Sequence, residues 1–485
     1  MKIIKNKETK HALLSVVLFI VVIALYIELN VLIDKININD IDATGQKIYS
    51  ISEESKRKIE KIDKEVNIKL VDFDRYADYV TVNDATYVIS QYQQVNDKIS
   101  ISRENTQNFE NDSDIYPYIK ISCGEKEALV SIDDLFVQKS YIEDGYNDLY
   151  YAIEEVITNN VCNVVNVNQD TIYLYTEKII FDEALLYTFA TRIQCLGCNV
   201  EFLQLSKNAS VPENCSCIVI PPFREDITES EKNALEQYIS RGGNILFLEE
   251  SKSLTNIETP NLDQIRMLFG YEVDSGVMIE SKNHAAENPG LIYLSVNHNN
   301  DIFKNINKNY TIGMIDATRI KLVDTEKMNQ LNVTSQTIVS SGETSYMRYN
   351  LKDSNTTISD TDEQANGSIL GVCLNKKIGE QESRAIVFSS SLFATDRAVG
   401  VIDALTGNAT PVSMISIYDN EEVLTYSVKY LAQNSDSIIS RKKYNNNIPS
   451  VKITKDGITL KIIFGLPLII LFIGYFVWRS RKYKK

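Results

Sequence analysis

The chain has 485 residues and a formal net charge of −15, which leaves room for two or three domains. Its positive charge gathers at the two ends, so the region between is more acidic than the whole; that region is repelled by nucleic acid and by anionic lipid headgroups, and nucleic acid is excluded as a partner, leaving the lipid bilayer to be met through the chain's ends. Only His11, His284 and His298 are present, too few and too scattered for a His-dependent triad or a multi-His metal site, and no G-x-x-x-x-G-K-S/T occurs, so the chain carries no ATPase loop of its own.

Residues 1–11 hold Lys2, Lys5, Lys7 and Lys10 against Glu8 and read as a cytoplasmic tail. Residues 12–33 predict a transmembrane helix: 12–27 are uncharged, and the apolar character continues to Ile33. No small-x-small site follows the run, which argues against a cleaved signal peptide. Residues 458–478 predict a second span. Pro467 within it is tolerable in a membrane helix. The tail 479–485 is basic, whereas Glu28, Asp34 and Asp40 lie at the far edge of the first span. The positive-inside bias therefore puts both termini in the cytoplasm and the central region outside the plasma membrane.

Between the spans, a polar stretch leads into a first α/β domain, 47–168. Ser52 is a good N-cap with Glu53 and Glu54 in the first turn. Val66, Ile68 and Leu70 alternate as a strand, 78–94 suggest a helix, and two alternating runs about Gly124-Glu125 predict a hairpin. "NDLYYAIEEVITNN" closes the domain as a helix. A second domain, 169–432, alternates strands with helices, the pattern of a parallel sheet covered on both faces. Its last helix, "NEEVLTYSVKYLAQ", is amphipathic with Val423, Leu424, Ser427, Val428 and Leu431 inward. Residues 433–457 read as a polar tether to the second span.

One glycine pair invites a nucleotide reading. In "SRGGNILFLEE", 240–250, Gly242-Gly243 precede a buried strand. A phosphate loop runs strand, glycine turn, helix. Here the order is reversed: Thr228 and Glu231 form a capping box, Ala234, Leu235, Tyr238 and Ile239 recur at helical spacing, and Gly242 falls where a chain leaves a helix. The glycines predict a helix exit.

Four cysteines cluster as Cys195-Leu-Gly-Cys198 and Cys215-Ser-Cys217. Unpaired thiols, one disulfide and a metal site all remain open for them. Glu249 and Glu250 end a predicted parallel strand, and Pro221, Pro222 and Arg224 end its neighbour. Ligands of open α/β sheets bind beyond strand carboxyl ends, so Pro222, Arg224, Glu249 and Glu250 are the candidate ligand-binding residues, with a solvated strand-end loop as the plainer reading. The serines at 340–341 and 389–391 lack a G-x-S-x-G elbow and read as strand-end hydroxyls.

The order of "YSISEESKRKIEKIDKEVNIKLVDFD", "YYAIEEVIT", "ITESEKNALEQYISRGGNILFLEE", "LDQIRMLFGYEVDSGVMIE", "RAIVFSSSLF" and "VKYLAQ" between two end spans resembles the auxiliary membrane-anchored subunit of ABC transporters, of the gliding-motility-associated type. The resemblance implies a thioredoxin-like first domain, a second domain similar to flavodoxin-like or class I glutamine-amidotransferase sheets, and partnership with a separate ATPase and a multispanning permease. It implies no catalytic residues and no cofactor: the nucleophilic-cysteine turn of the amidotransferases is missing, and Cys123 stands alone in the first domain. The family often carries an acid at the position of Glu249 or Glu250, and an aspartate where this chain has serine in "RAIVFSSSLF". The expected function is a non-catalytic extracellular auxiliary subunit. A stand-alone surface ligand-binding or sensor protein is the alternative.

Overall fold

The computed structural model describes residues 47–444 apart from 107–115, 142–146, 166–169, 286–287, 305–308, 353–357, 403–408, 433–438 and 440, together with Ala24, Glu28, 41–42, Thr44, 452–453, Pro467, Ile470 and Gly474. Both predicted spans and both tails thus lie outside the described residues except at isolated positions. Among the described residues no helix is long and apolar enough to cross a membrane. The chain divides into two compact units, one of 1–50 with 445–485 and one of Ile51–Tyr444. In the smaller unit, Ile41–Asp42 pairs antiparallel with Lys452–Ile453, and Asp42 accepts hydrogen bonds from the Tyr49 N–H and the Ser50 hydroxyl.

The larger unit opens with α1 (Glu53–Glu60), capped by Ser52, whose side chain accepts from the Ser55 N–H. There follow β1 (Val66–Val71), α2 (Val80–Val95), β2 (Ile99–Glu104), β3 (Tyr118–Cys123) and β4 (Lys126–Ser131). The sheet order is β2-β1-β3-β4, with β1 and β2 parallel and the rest antiparallel. The β3–β4 hairpin turns through Gly124 at φ 61°, where a side chain would be strained. Val66, Ile68, Leu70, Ile119 and Ile121 are buried on one face, against α2 and the later α3 (Ile153–Val165). The intervening β5 (Phe136–Ser140) and β6 (Asn147–Tyr151) form a separate antiparallel pair.

The second lobe contains β7 (Thr171–Leu174), α4 (Tyr187–Cys195), β8 (Asn199–Phe202), β9 (Cys215–Ile220), α5 (Glu229–Ser240), β10 (Ile245–Leu248), α6 (Pro260–Leu268), β11 (Tyr271–Val273), β12 (Asn288–Ser295), β13 (Thr311–Ile315), β14 (Val333–Ser340), β15 (Ile369–Ile378), β16 (Gln381–Phe388) and α7 (Asn420–Leu431). Seven strands join in the order β8-β7-β9-β10-β16-β15-β14. The first five are parallel and the last two antiparallel. In chain order the parallel five read 2-1-3-4-5, so the winding reverses between β7 and β9. Phe189 and Ile193 of α4 pack with Val423 and Leu424 of α7 on one face. Leu235 and Tyr238 of α5 pack with Leu262 and Ile265 of α6 on the other.

The helix exit reads as expected. Thr228 and Glu231 form a capping box at the start of α5. At its end the Gly243 N–H donates to Tyr238 O and the Gly242 N–H to Ile239 O, the two bonds of a Schellman turn, with Gly242 at φ 87°. A Cβ on Gly243 would lie 2.5 Å from the Tyr238 ring. The glycines serve the turn and its packing, and no phosphate site forms there.

Two expectations change. Helix α7 is not amphipathic in its surroundings, because all twelve of its residues are buried. Its polar side lies under the first lobe, where Glu422 pairs with Lys139 and Tyr426 donates to Glu155. A local period reports one apolar face and says nothing about a second element covering the polar one. The stretch read as a tether also differs. Within it, Lys442–Lys443 pairs with β6 as a third strand. Arg441 is buried, its Nε 2.6 Å from Glu155 Oε2 and its Nη2 2.7 Å from Glu421 Oε1, and Tyr444 stacks on Tyr151 at 5.2 Å. A buried guanidinium is tolerated because two carboxylates face it. All seven cysteines are free thiols, and no group of metal-binding residues is found among the described residues.

Candidate functional site

The carboxyl ends of β9 and β10 open onto a crevice lined by Pro222, Phe223, Glu249, Glu250, Lys252 and Arg266, among others. The chain reaches it predictably. A continuous apolar run buries β10 on both faces, and the first polar residues after it emerge at the sheet's edge. Three of the four sequence candidates, Pro222, Glu249 and Glu250, meet there. Arg224 does not line the crevice: it is exposed, and its backbone N–H donates to Lys178 O at 2.7 Å.

Glu249 and Glu250 are adjacent and have different surroundings. Glu249 is 2% exposed. Arg266 grips it in a fork, Nε to Oε1 at 2.8 Å and Nη2 to Oε2 at 2.7 Å, and the Tyr271 hydroxyl donates to Oε1 at 2.7 Å. The remaining guanidinium nitrogen donates to Thr259 Oγ1 at 2.9 Å and Asp263 Oδ1 at 2.7 Å. Every strong donor around Glu249 is thus engaged, and the pair plugs the inner crevice, leaving space for on the order of one water. The arrangement is a structural bidentate ion pair.

Glu250 meets a like charge instead. Burial, and then the negative charge of Asp316, push its pKa up to about 7, with Arg397 offsetting only part. Asp316 is likewise raised by burial and lowered by Arg397. It follows β13 in the left-handed region at φ 55°, uncommon outside glycine. Nearby, Ser390 Oγ donates to Ile315 O at 2.6 Å, tying the end of β16 to the residue before Asp316. Glu250 can exchange a proton close to neutrality and can meet a polar or cationic group.

Sequence reasoning missed Arg266, Tyr271 and Asp316. Arg266 carried a usable signal: it sits on the same helical face as Leu262 and Ile265, and a charge on a core-facing position implies a buried partner. Asp316 carried none, since a left-handed residue after a weak strand leaves no period to read.

This crevice lies largely within the stretch that known proteins share. Residues 169–276 match a family described as an ABC-type uncharacterized transport system. The match supports an auxiliary component of an ABC-type transport system; it spans β7 through β11 and so includes Glu249, Arg266 and Tyr271. No curated protein matches the chain. Among solved structures, the mmIFT52 N-terminal domain is 12% identical, covers 56% of this chain and 100% of its own, and has a TM-score of 0.38. A ThuA-like protein from Parabacteroides merdae is 10% identical, covers 60% of this chain and 99% of its own, and has a TM-score of 0.31. At those scores the likeness carries no argument about function.

Proposed function

We propose that this protein is a non-catalytic extracellular subunit of an ABC-type transport system, held in the plasma membrane by spans at 12–33 and 458–478 with both termini cytoplasmic, and working with a separate ATPase and a multispanning permease. The observation that carries the reading is the family match over 169–276, on a sheet whose matched strand-end acid is committed to an internal arginine rather than to chemistry. The lack of an ATPase loop in the sequence agrees with a chain that depends on another subunit for energy. The finer fold assignment belongs to the same proposal. The 2-1-3-4-5 order supports a flavodoxin-like second lobe, and the β-α-β-hairpin series of the first lobe supports a thioredoxin-like one.

A stand-alone surface ligand-binding or sensor protein is the second reading, favoured by the Glu250–Asp316 pair at the strand ends. Extraction of the native protein in mild detergent after crosslinking separates the two. Recovery with a permease and an ATPase is expected. Recovery of the protein alone, in an extraction that keeps other transporters whole, would favour the sensor.

A further inference from the structure

The junction between the two lobes is built from charge, and most of that charge is matched. Arg441 faces Glu155 and Glu421, and Lys139 faces Asp419 and Glu422. Lys429 breaks the pattern. It lies on α7 and is 7% exposed. Its Nζ donates to Asn159 Oδ1 at 3.1 Å, and no ion pair involves it among the described residues. Asn159, on α3, is equally buried, and its Nδ2 has no acceptor. The ammonium keeps two N–H bonds unused and the amide keeps two more. Among the described residues these remaining donors have no acceptor.

The surrounding groups do not supply the missing charge. Burial, and after it the like charge of Lys58 on α1, lower the Lys429 pKa to about 8. Glu155 acts in the opposite direction, but its carboxylate is held by Arg441 at 2.6 Å and by the Tyr426 hydroxyl at 3.3 Å. Cys162 and Cys198 both sense Lys429, yet burial raises them, Cys198 to about 12, so they stay as neutral thiols. A buried ammonium without a counter-charge is strongly unfavourable, and a buried N–H2 without an acceptor adds to the cost.

We propose that Lys429 and Asn159 form a site for a small monovalent anion of halide size, joining α3 of the first lobe to α7 of the second. The size follows from enclosure. Both side chains are more than nine-tenths buried, and the α4–β8 turn packs so closely that a Cβ on Gly197 would lie 3.0 Å from Asn159 O. A water molecule there would accept the same hydrogen bonds but bring no charge, and the protein's stability would then be indifferent to the identity of the anion.

The test is thermal unfolding of the full chain in detergent at pH 7, in sodium bromide against sodium gluconate at equal ionic strength. The midpoint should be higher in bromide by about 2 °C or more, saturating with concentration. Lys429→Met and Asn159→Asp should each abolish the difference. Asn159→Asp supplies a carboxylate in place of the ion, so it reports even if Lys429→Met folds poorly. Equal midpoints in the two salts for the wild type, or a bromide effect that survives in Asn159→Asp, would overturn the proposal.

Discussion

The four-stranded sheet of the first lobe buries one face and leaves the other to water, whereas the seven-stranded sheet of the second is covered by helices on both. The open face carries Asn67, Lys69, Ser100, Lys120 and Glu127, linked by pairs such as Lys69–Glu104 at 2.6 Å. The inner parallel strands β7, β9 and β10 of the covered sheet carry no charged residue, and just past the end of β10 Glu249 is saturated by Arg266 and Tyr271. The same residue types therefore differ in consequence. On the open face an ion pair competes with water on nearly equal terms. At the covered strand end there is little room for water, and the partner decides whether the charge is tolerable.

The strongest way to break this comparison is Arg266→Met. It leaves Glu249 buried with the Tyr271 hydroxyl as its remaining donor, and should destabilise by about 3–5 kcal/mol, read by denaturant unfolding. Pairing it with Glu249→Leu should restore most of the loss, because two apolar side chains need no counter-charge. A loss below about 1 kcal/mol in Arg266→Met would mean that the crevice is wetter than the closed geometry implies.

A smaller effect is expected one residue along. The Glu250 pKa is raised to about 7 in the folded protein, above its value of about 4.3 in the unfolded chain. The folded state therefore binds more protons between these values, and stability should fall as pH rises from about 4.5 to 7, then level off. Asp316 is shifted in the same direction and adds to the slope. Glu250→Gln should flatten that slope and stabilise the protein at pH 8 by on the order of 1–3 kcal/mol. An unchanged pH profile would remove the carboxylate pair from consideration. The smallest effect belongs to the open face, where Lys69→Ala should change stability by less than about 0.5 kcal/mol and less still in high salt.

These contrasts also mark how far the sequence could be read. The helix exit at Gly242-Gly243, the capping box at Thr228 and Glu231 and the buried run at 245–248 were legible because each depends on residues within one or two turns of each other. Pro222, Glu249 and Glu250 were placed at one strand-end crevice for a similar reason, since parallel strands must end together. Arg224 was not so constrained. It sits past the strand, where the loop chooses its own direction, and the structure points it elsewhere.

By itself the sequence determined an acidic central region between two apolar runs, a first lobe with alternating strands and a second with continuous ones, because charge, hydropathy and period are properties of short stretches. Only the tertiary structure decided which charges would be buried together. Arg441 meets Glu155 across 286 positions, Lys429 meets Asn159 across 270, and α7 loses its solvent face to a lobe that precedes it by hundreds of residues. Local pattern records which side of an element is apolar. Whether its polar side meets water or another polar surface depends on how the elements pack, and that choice is made by the whole chain at once.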